Sequence, residues 1–373
     1  MTNNMKKPFT LCAALLICSL IFGQKQKVDK ELLGNHNGSE VYLYTLTNKA
    51  GNVLKVTNYG ARIVRIDVPD RNGTMDNVTV GSEKLASIVR GDAFGGASIG
   101  RFANRIANGK FTLDGKEFTL PINNSPNTLH GGRNGWFSKV WSSEIVNSKQ
   151  AAVRFAYISP DMEEGFPGEV SISVTYTWND KNEIVIDYAA TTNKKTVVNF
   201  TNHAYFNLHG VGKGYIFDHI LTLKASAYTP LNSTKIPTGE IRSVKATPFD
   251  FTTPHPIGYK IGETYENATF QGYDDNYVLD KKEKVNATVY DPESGRVMEV
   301  ITDQPGLQFY SGSSMMWQKS AGTDTKAVNT RSAFALETQH YPDSPNQALF
   351  PTTVLAPGEK FKSRTIYRFF VKK

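Results

Sequence analysis

Along residues 169–178 the chain alternates: Val170, Ile172, Val174 and Tyr176 fall on one face, and Ser171, Ser173, Thr175 and Thr177 on the other. A period of two with one apolar face marks a half-buried antiparallel strand, because successive side chains of an extended backbone point to opposite sides. Runs rich in β-branched and aromatic residues predict further strands over residues 41–47, 53–59, 62–68, 183–191, 197–202, 219–225 and 296–302. Few stretches keep a helical period of about 3.6 for several turns. Residues 83–90 are the one modest helix candidate. Turn-forming clusters punctuate the runs, at Arg71-Asn72-Gly73, Leu113-Asp114-Gly115, Asn179-Asp180-Lys181-Asn182 and Ala356-Pro357-Gly358; Gly, Asn and Asp accept the backbone angles of tight hairpins. No internal repeat, linker or compositional break follows residue 30. The pattern predicts an all-β protein, a large antiparallel β-sandwich with few short helices, in one domain over residues 24–373.

The N-terminus departs from this pattern. Lys6 and Lys7 precede an apolar run over residues 9–22, followed by Gly23-Gln24 and a charged segment over residues 25–31. A basic start and a short apolar run predict a secretory signal peptide over residues 1–23. The run falls short of a membrane span, and no later segment approaches ~20 consecutive apolar residues. The expectation is a soluble mature protein, periplasmic or secreted, with no membrane anchor after cleavage. Both cysteines, Cys12 and Cys18, lie inside the run, so the exported chain is expected to hold no disulfide, thiol nucleophile or thiolate metal site. A lipid-anchored Cys18 is disfavoured by the bulky Leu16-Ile17 before it.

With 39% hydrophobic and 21% charged residues over 373 positions, the chain is neither a disordered tail nor a collagen-like fibre. Forty-two Lys and Arg against 35 Asp and Glu give a formal charge of +7, lowered by two when Lys6 and Lys7 leave with the signal. These positive charges are scattered, without a basic run, so no nucleic-acid partner is expected.

Three of the seven histidines stand in segments suited to chemistry. His130 precedes Gly131-Gly132, where the backbone can turn tightly and bring the imidazole close to a bound group. His203 sits in Asn199-Phe-Thr-Asn-His-Ala-Tyr-Phe-Asn-Leu208, and His340 follows an apolar run. Glu337 is the single acid within Phe334-Ala-Leu-Glu-Thr-Gln339, and partial burial there would raise its pKa and make it a better base. The ordinary uses compete with these readings: a hydrogen-bonded structural imidazole, a strand-edge glutamate in water, and for Asp274-Asp275 a plain Asx-rich turn. There is no Gly-x-Ser-x-Gly elbow, no phosphate-cradling loop with lysine and no His-Glu-x-x-His, and the histidine and carboxylate spacing does not argue for a metal.

Eight stretches, in order through nearly the whole mature chain, resemble the aldose 1-epimerase (galactose mutarotase) family. They are Asn58-Tyr-Gly-Ala, Gly100-Arg-Phe-Ala-Asn-Arg-Ile, residues 127–132, Gly165-Phe-Pro-Gly, Thr201-Asn-His-Ala-Tyr-Phe-Asn-Leu, Gly272-Tyr-Asp-Asp-Asn, Pro305-Gly-Leu-Gln-Phe-Tyr-Ser-Gly and Leu336-Glu-Thr-Gln. The resemblance implies an antiparallel β-sandwich that binds a free aldose such as glucose or galactose in an open cleft and exchanges its α and β anomers. It implies His203 as general acid and Glu337 as general base, His130 beside the ring oxygen, and Asn104, Arg105, Asp274 and Gln308 on sugar hydroxyls. The hemiacetal would open by loss of the C1 hydroxyl proton to Glu337 and protonation of the ring oxygen by His203, turn about C1–C2 and close again. One acid and one base then suffice without cofactor or metal, and the rate should follow a bell-shaped pH profile. The small-molecule aldose is the expected partner, and the chain is expected to be a monomer or homodimer.

Two positions depart from the family pattern: Asp275 stands where histidine is usual, and Ser313 where asparagine is usual. They bear on sugar preference more than on activity. The rival readings are a glycoside hydrolase, which needs two carboxylates flanking the bond, and a sugar-binding protein without turnover, which would be expected to have lost His203 or Glu337. A phosphosugar epimerase would be expected to carry additional basic residues.

Overall fold

The computed structural model describes Met1 and residues 27–91, 94–146, 150–264, 272–313 and 329–372. The predicted signal peptide therefore lies outside the described residues, apart from Met1. The alternating segment is a strand, Val170–Trp178, with burial that alternates along its length. It belongs to a nine-stranded sheet in the order Ser142–Ile145, Ala151–Ser159, Val170–Trp178, Glu183–Thr192, Phe361–Val371, Arg296–Thr302, Ala287–Tyr290, Ile220–Leu223 and His255–Pro256. A six-stranded sheet runs Tyr205–Phe206, Phe334–Gln339, Gly306–Tyr310, Asp274–Val278, Ala227–Tyr228 and Arg242–Ser243. A five-stranded meander, Lys27–His36, Ser39–Thr47, Val53–Thr57, Arg62–Pro69 and Met75–Asn77, precedes both. All named strand pairs in these three sheets are antiparallel. Among the described residues no helix is long and apolar enough to cross a membrane.

The two larger sheets pack face to face, with the Val174 and Tyr176 face that period two assigned inward buried between them. Val174, Tyr176, Ile186, Phe309, Leu336 and Tyr367 belong to one buried cluster, each such side chain contributing roughly 1.5–3 kcal/mol on removal from water. Tyr367 Oη donates to the Leu336 carbonyl at 3.0 Å, which ties the sheets at the strand that carries Glu337. Arg296–Thr302 matches its predicted range, and the hairpin turn at residues 179–182 joins two long strands as expected, with Asn182 in the left-handed region at φ 56°.

Three expectations changed in detail. Residues 197–202 do not form one strand: Thr196–Val197 pairs with Val354–Leu355, and Thr201–Asn202 pairs with Ser98–Ile99. The chain switches partners between them because Asn199 side-chain groups bond the Ala103 and His340 backbone. Asp274 and Asp275 begin a strand of the six-stranded sheet, Asp274–Val278, instead of forming only an Asx turn. The helix is Leu85–Gly91, shorter than residues 83–90 suggested at its start.

Part of the family-like pattern is structural. Arg101 is buried and its guanidinium donates to the Pro167 and Gly168 carbonyls at 2.7 and 2.6 Å, which joins the Gly100 and Gly165 stretches. The Tyr176 hydroxyl donates to the Ala61 carbonyl at 2.7 Å, and Asn202 Nδ2 donates to that hydroxyl at 3.0 Å. These bonds carry the loops that flank the site.

Candidate active site

The outer face of the six-stranded sheet forms one wall of a cavity of about 190 Å³. Register sets Glu337 opposite Gln308, Gln308 opposite Asn276, and Tyr310 opposite Asp274. Alternation then puts Glu337, Gln308, Tyr310 and Asp274 on one face, while Leu336 and Phe309 go to the core. A second wall comes from the loops that hold Asn104, Arg105 and His130. A third comes from His203 and Tyr205, just past the strand Thr201–Asn202.

His203 is clamped by its backbone. Its N–H donates to the Ala97 carbonyl at 3.0 Å, and its own carbonyl accepts from Gly96 N–H at 2.8 Å. The ring stacks on Phe94 and lies 4.8 Å from the Tyr205 ring centroid. His203 Nε2 stands 3.4 Å from Glu337 Oε1, with both side chains at most 5% exposed. His203 Nδ1 and Glu337 Oε2 are buried without a hydrogen-bond partner. Two orphaned polar atoms inside a cavity mark where a ligand's groups fit, since such atoms are otherwise costly to bury.

His130 is fixed by reciprocity with Asn104. His130 N–H donates to the Asn104 carbonyl at 3.0 Å, and Asn104 N–H donates to His130 Nδ1 at 3.1 Å. Both residues adopt left-handed angles, φ 53° and 64°, which the paired bonds hold in place. Because Nδ1 accepts, the ring proton sits on Nε2, so His130 presents a donor. Gly131 must follow: at φ 82° a Cβ there would lie 2.2 Å from the Gly100 carbonyl oxygen.

Burial sets the protonation of the reacting groups. It lowers His203 to about 4, with the Asp274 charge opposing. It holds His130 well below 6.5, with His203 and Arg105 adding to the effect. Burial and then the Asp274 charge push Glu337 well above 4.5, against Arg105. Burial thus disfavours the charged form of each partner, the imidazolium of His203 and the carboxylate of Glu337. Asp274 goes the other way. Burial raises its pKa, but Lys235, Arg105 and Gln308 together bring it below 3.8, so it is a carboxylate. Lys235 Nζ sits 2.8 Å from Asp274 Oδ2, Gln308 Nε2 donates to Oδ1 at 2.9 Å, and Arg105 Nη2 stands off at 4.0 Å.

This geometry gathers Asn104, Arg105, His130, His203, Asp274 and Glu337 around one cavity. A family model described as aldose 1-epimerase matches residues 42–368. The chain belongs to the aldose 1-epimerase family. It is 40% identical over 336 residues to the galactose mutarotase of Rattus norvegicus, covering 90% of this chain and 95% of that protein. It is 36% identical to the aldose 1-epimerase of Escherichia coli K12, covering 90% and 97%. Among solved structures, the aldose epimerase homologue from C. elegans superposes with a TM-score of 0.81 at 29% identity, covering 88% of this chain and 98% of that one.

Within this family member, His130, His203, Glu337, Asn104, Arg105 and Asp274 all line the cavity. Gln308 stands one step behind, bonded to Asp274. His340 does not join them: it lines a separate groove, with Nδ1 3.0 Å from Gln304 Oε1. Asp275 and Ser313 are not among the lining residues, and strand alternation turns the buried Asp275 away from Asp274's face. The sequence reading missed Phe94, Asn124, Leu129, Tyr205, Lys235 and Tyr310 as lining residues. Tyr205 and Tyr310 lay inside the quoted stretches two residues from His203 and Gln308; Lys235 lay in a loop with no such signal.

Two groups of metal-ligand type come together that sequence spacing did not reveal: His130, His203 and Glu337, and His209, His219 and Asp291, each with donor atoms within 4.8 Å of one another. Hydrogen bonding argues against an ion in either. His130 Nδ1 and His219 Nε2 each accept a backbone N–H, from Asn104 and Leu208, at 3.1 and 2.9 Å. The remaining nitrogen of each ring then carries the proton and has no lone pair for a metal.

Proposed function

We propose that this protein interconverts the α and β anomers of a free aldose by acid–base opening and closing of the hemiacetal ring, with Glu337 as base and His203 as acid. The observation that carries the reading is the buried His203–Glu337 pair at 3.4 Å beside the His130 Nε2–H donor. On binding the cyclic sugar, the proton shared by the pair passes from Glu337 to His203. Glu337 takes the C1 hydroxyl proton, His203 protonates the ring oxygen, and the C1–O5 bond breaks to give the aldehyde. The pair is then neutral again, the arrangement that burial favours in the empty site. The low-dielectric cavity thus favours the step that removes charge, which is stabilisation realised along the reaction and not in the starting complex. Rotation about C1–C2 and reversal of both transfers gives the other anomer and restores the pair without a separate reset.

His130 donates from Nε2 to the ring oxygen region, and Asn104, Arg105 and Asp274 hold hydroxyls. A glycosidase arrangement gains no support, because both Asp274 oxygens already face Lys235 or Gln308 and are poorly placed to act as a nucleophile. The test is polarimetry on freshly dissolved α-D-glucose and α-D-galactose. Wild type should speed the approach to anomeric equilibrium and His203→Ala should not; binding without acceleration by wild type would leave a sugar-binding protein instead. The same reading includes export, supported by Lys6-Lys7 and the apolar run after them. Recovery of the unprocessed chain from the cytosolic fraction would refute it.

A further inference from the structure

Asn124 lines the cavity, yet the proposed reaction gives it no part. It sits in a turn built to hold it still. Asn124 N–H donates to the Asn127 carbonyl at 3.0 Å, and Asn127 N–H returns a bond to the Asn124 carbonyl at 2.8 Å. On one side of the turn Asn123 fixes the His130 loop: its Oδ1 accepts from Leu129 N–H at 2.7 Å, and its Nδ2 donates to the Leu129 and Gly132 carbonyls at 2.9 and 2.8 Å. On the other side Asn127 Nδ2 donates to the Thr234 carbonyl at 2.8 Å. Leu129 pairs with Arg105 in a short antiparallel ladder, which brings the turn and the arginine together.

The two ends of the Asn124 amide have different surroundings. Arg105 Nε donates to Asn124 Oδ1 at 3.0 Å. Because a guanidinium can only donate, the atom facing it must be the amide oxygen, and that fixes the orientation of the amide. The Nε edge of Arg105 is thereby engaged, and its Nη groups are left for other acceptors; Nη2 stands 4.0 Å from Asp274 Oδ2. Asn124 is half-buried, and its Nδ2 has no hydrogen-bond partner among the described residues and is not sealed from solvent. Two N–H donors therefore stand open beside the arginine. A sugar hydroxyl both donates and accepts, and here Asp274 offers the acceptor while Arg105 and Asn124 offer donors.

We propose that Asn124 binds the substrate and determines its specificity: through Oδ1 it aims Arg105, and through Nδ2 it donates to a sugar hydroxyl beside the one that Arg105 holds. This rests on the anomer-exchange reading above and adds to it a residue that selects among aldoses. Both roles need the amide. Aspartate keeps an acceptor for Arg105 Nε and loses the donor, whereas leucine loses both.

The experiment measures kcat and KM for anomer exchange of D-galactose and its 2-, 3-, 4- and 6-deoxy derivatives, read from anomeric proton exchange, in wild type, Asn124→Asp and Asn124→Leu. In Asn124→Asp the preference for galactose over one of the deoxy sugars should fall about fivefold or more, since that hydroxyl has lost its partner. In Asn124→Leu the same preference should fall, together with the one for the hydroxyl that Arg105 holds. KM should move more than kcat, because the contact is made in the bound sugar and the transition state alike. Ratios to galactose cancel any effect common to all the sugars, such as the added charge of aspartate or a looser loop. Unchanged ratios in both variants, with or without an equal loss on every sugar, make Asn124 a structural support and overturn the proposal. A preference lost in Asn124→Leu but intact in Asn124→Asp assigns the selection to Arg105 and overturns the direct contact. Should Asn124→Leu fail to fold, the near-isosteric Asn124→Asp decides alone. No acceleration of any of these sugars by wild type overturns the anomer-exchange reading, and this assignment with it.

Discussion

Replacing Glu337 with glutamine separates chemistry from stability, because the same burial acts on both with opposite signs. Glutamine keeps the shape and fits the uncharged state that the cavity already imposes, but it cannot accept the C1 hydroxyl proton. Loss of a positioned general base costs about 10²–10⁴ in rate, or ~3–5 kcal/mol at ~1.4 kcal/mol per decade. Stability moves the other way. A carboxyl whose folded pKa lies above its unfolded value of 4.5 destabilises the fold once pH exceeds 4.5, and the penalty grows until pH reaches the folded value. Each unit of that interval is worth ~1.4 kcal/mol. Glutamine carries no such penalty. E337Q should therefore melt at a higher temperature than wild type at about pH 7.5, and the two curves should converge near pH 4, where Glu337 is neutral in both states. The assay pairs polarimetric kcat with thermal melts at several pH values. Activity within tenfold of wild type, or a melting difference that is absent at neutral pH or does not shrink on acidification, would refute the reasoning.

The remaining predictions address the pH profile, the loop geometry and acid stability. Since the reactive pair needs one proton, kcat/KM should fall on the acid side near the His203 value of about 4 and on the alkaline side at the raised Glu337 value, so that an acid limb at 6.5 would contradict the burial argument. Gly131→Ala should destabilise by roughly 2–4 kcal/mol, from the left-handed angle and the clash with the Gly100 carbonyl, and should raise KM by displacing His130; an unchanged melt would show that the loop can relax. Burial lowers His219 to about 3, so its contribution is fully present above 6.5 and lost as pH falls toward 3. At about pH 5 that loss is ~2 kcal/mol, and His219→Gln, which keeps an acceptor for Leu208 N–H, should flatten the acid decline in chemical-denaturation free energy measured between pH 7 and 5.

The strands most readable in the sequence are those with one wet face. Val170–Trp178 and Arg296–Thr302 pair at or within one residue of the predicted ranges, because alternation records directly which side meets water. The strand Phe334–Gln339 is buried on both faces, so Glu337 reads as an interruption of an apolar run although it faces the cavity. The site residues that stood in recognisable stretches, His130, His203, Glu337, Asn104, Arg105 and Asp274, were legible as types in an order that resembles a family. Lys235 was not, since a lysine in a polar loop looks like any solvated lysine until its turn is folded against Asp274.

The sequence by itself determined the architecture and the inventory: a period of two makes sheets, two sheets with apolar faces must stack, and His203 and Glu337 supply an acid and a base. Only the tertiary structure decided their proton. Residues 134 apart in the chain meet at 3.4 Å in a cavity that penalises charge, so that the imidazole is driven down and the carboxyl up, and the two share one proton. That outcome depends on desolvation and on Asp274 nearby, quantities that no local stretch of residues encodes.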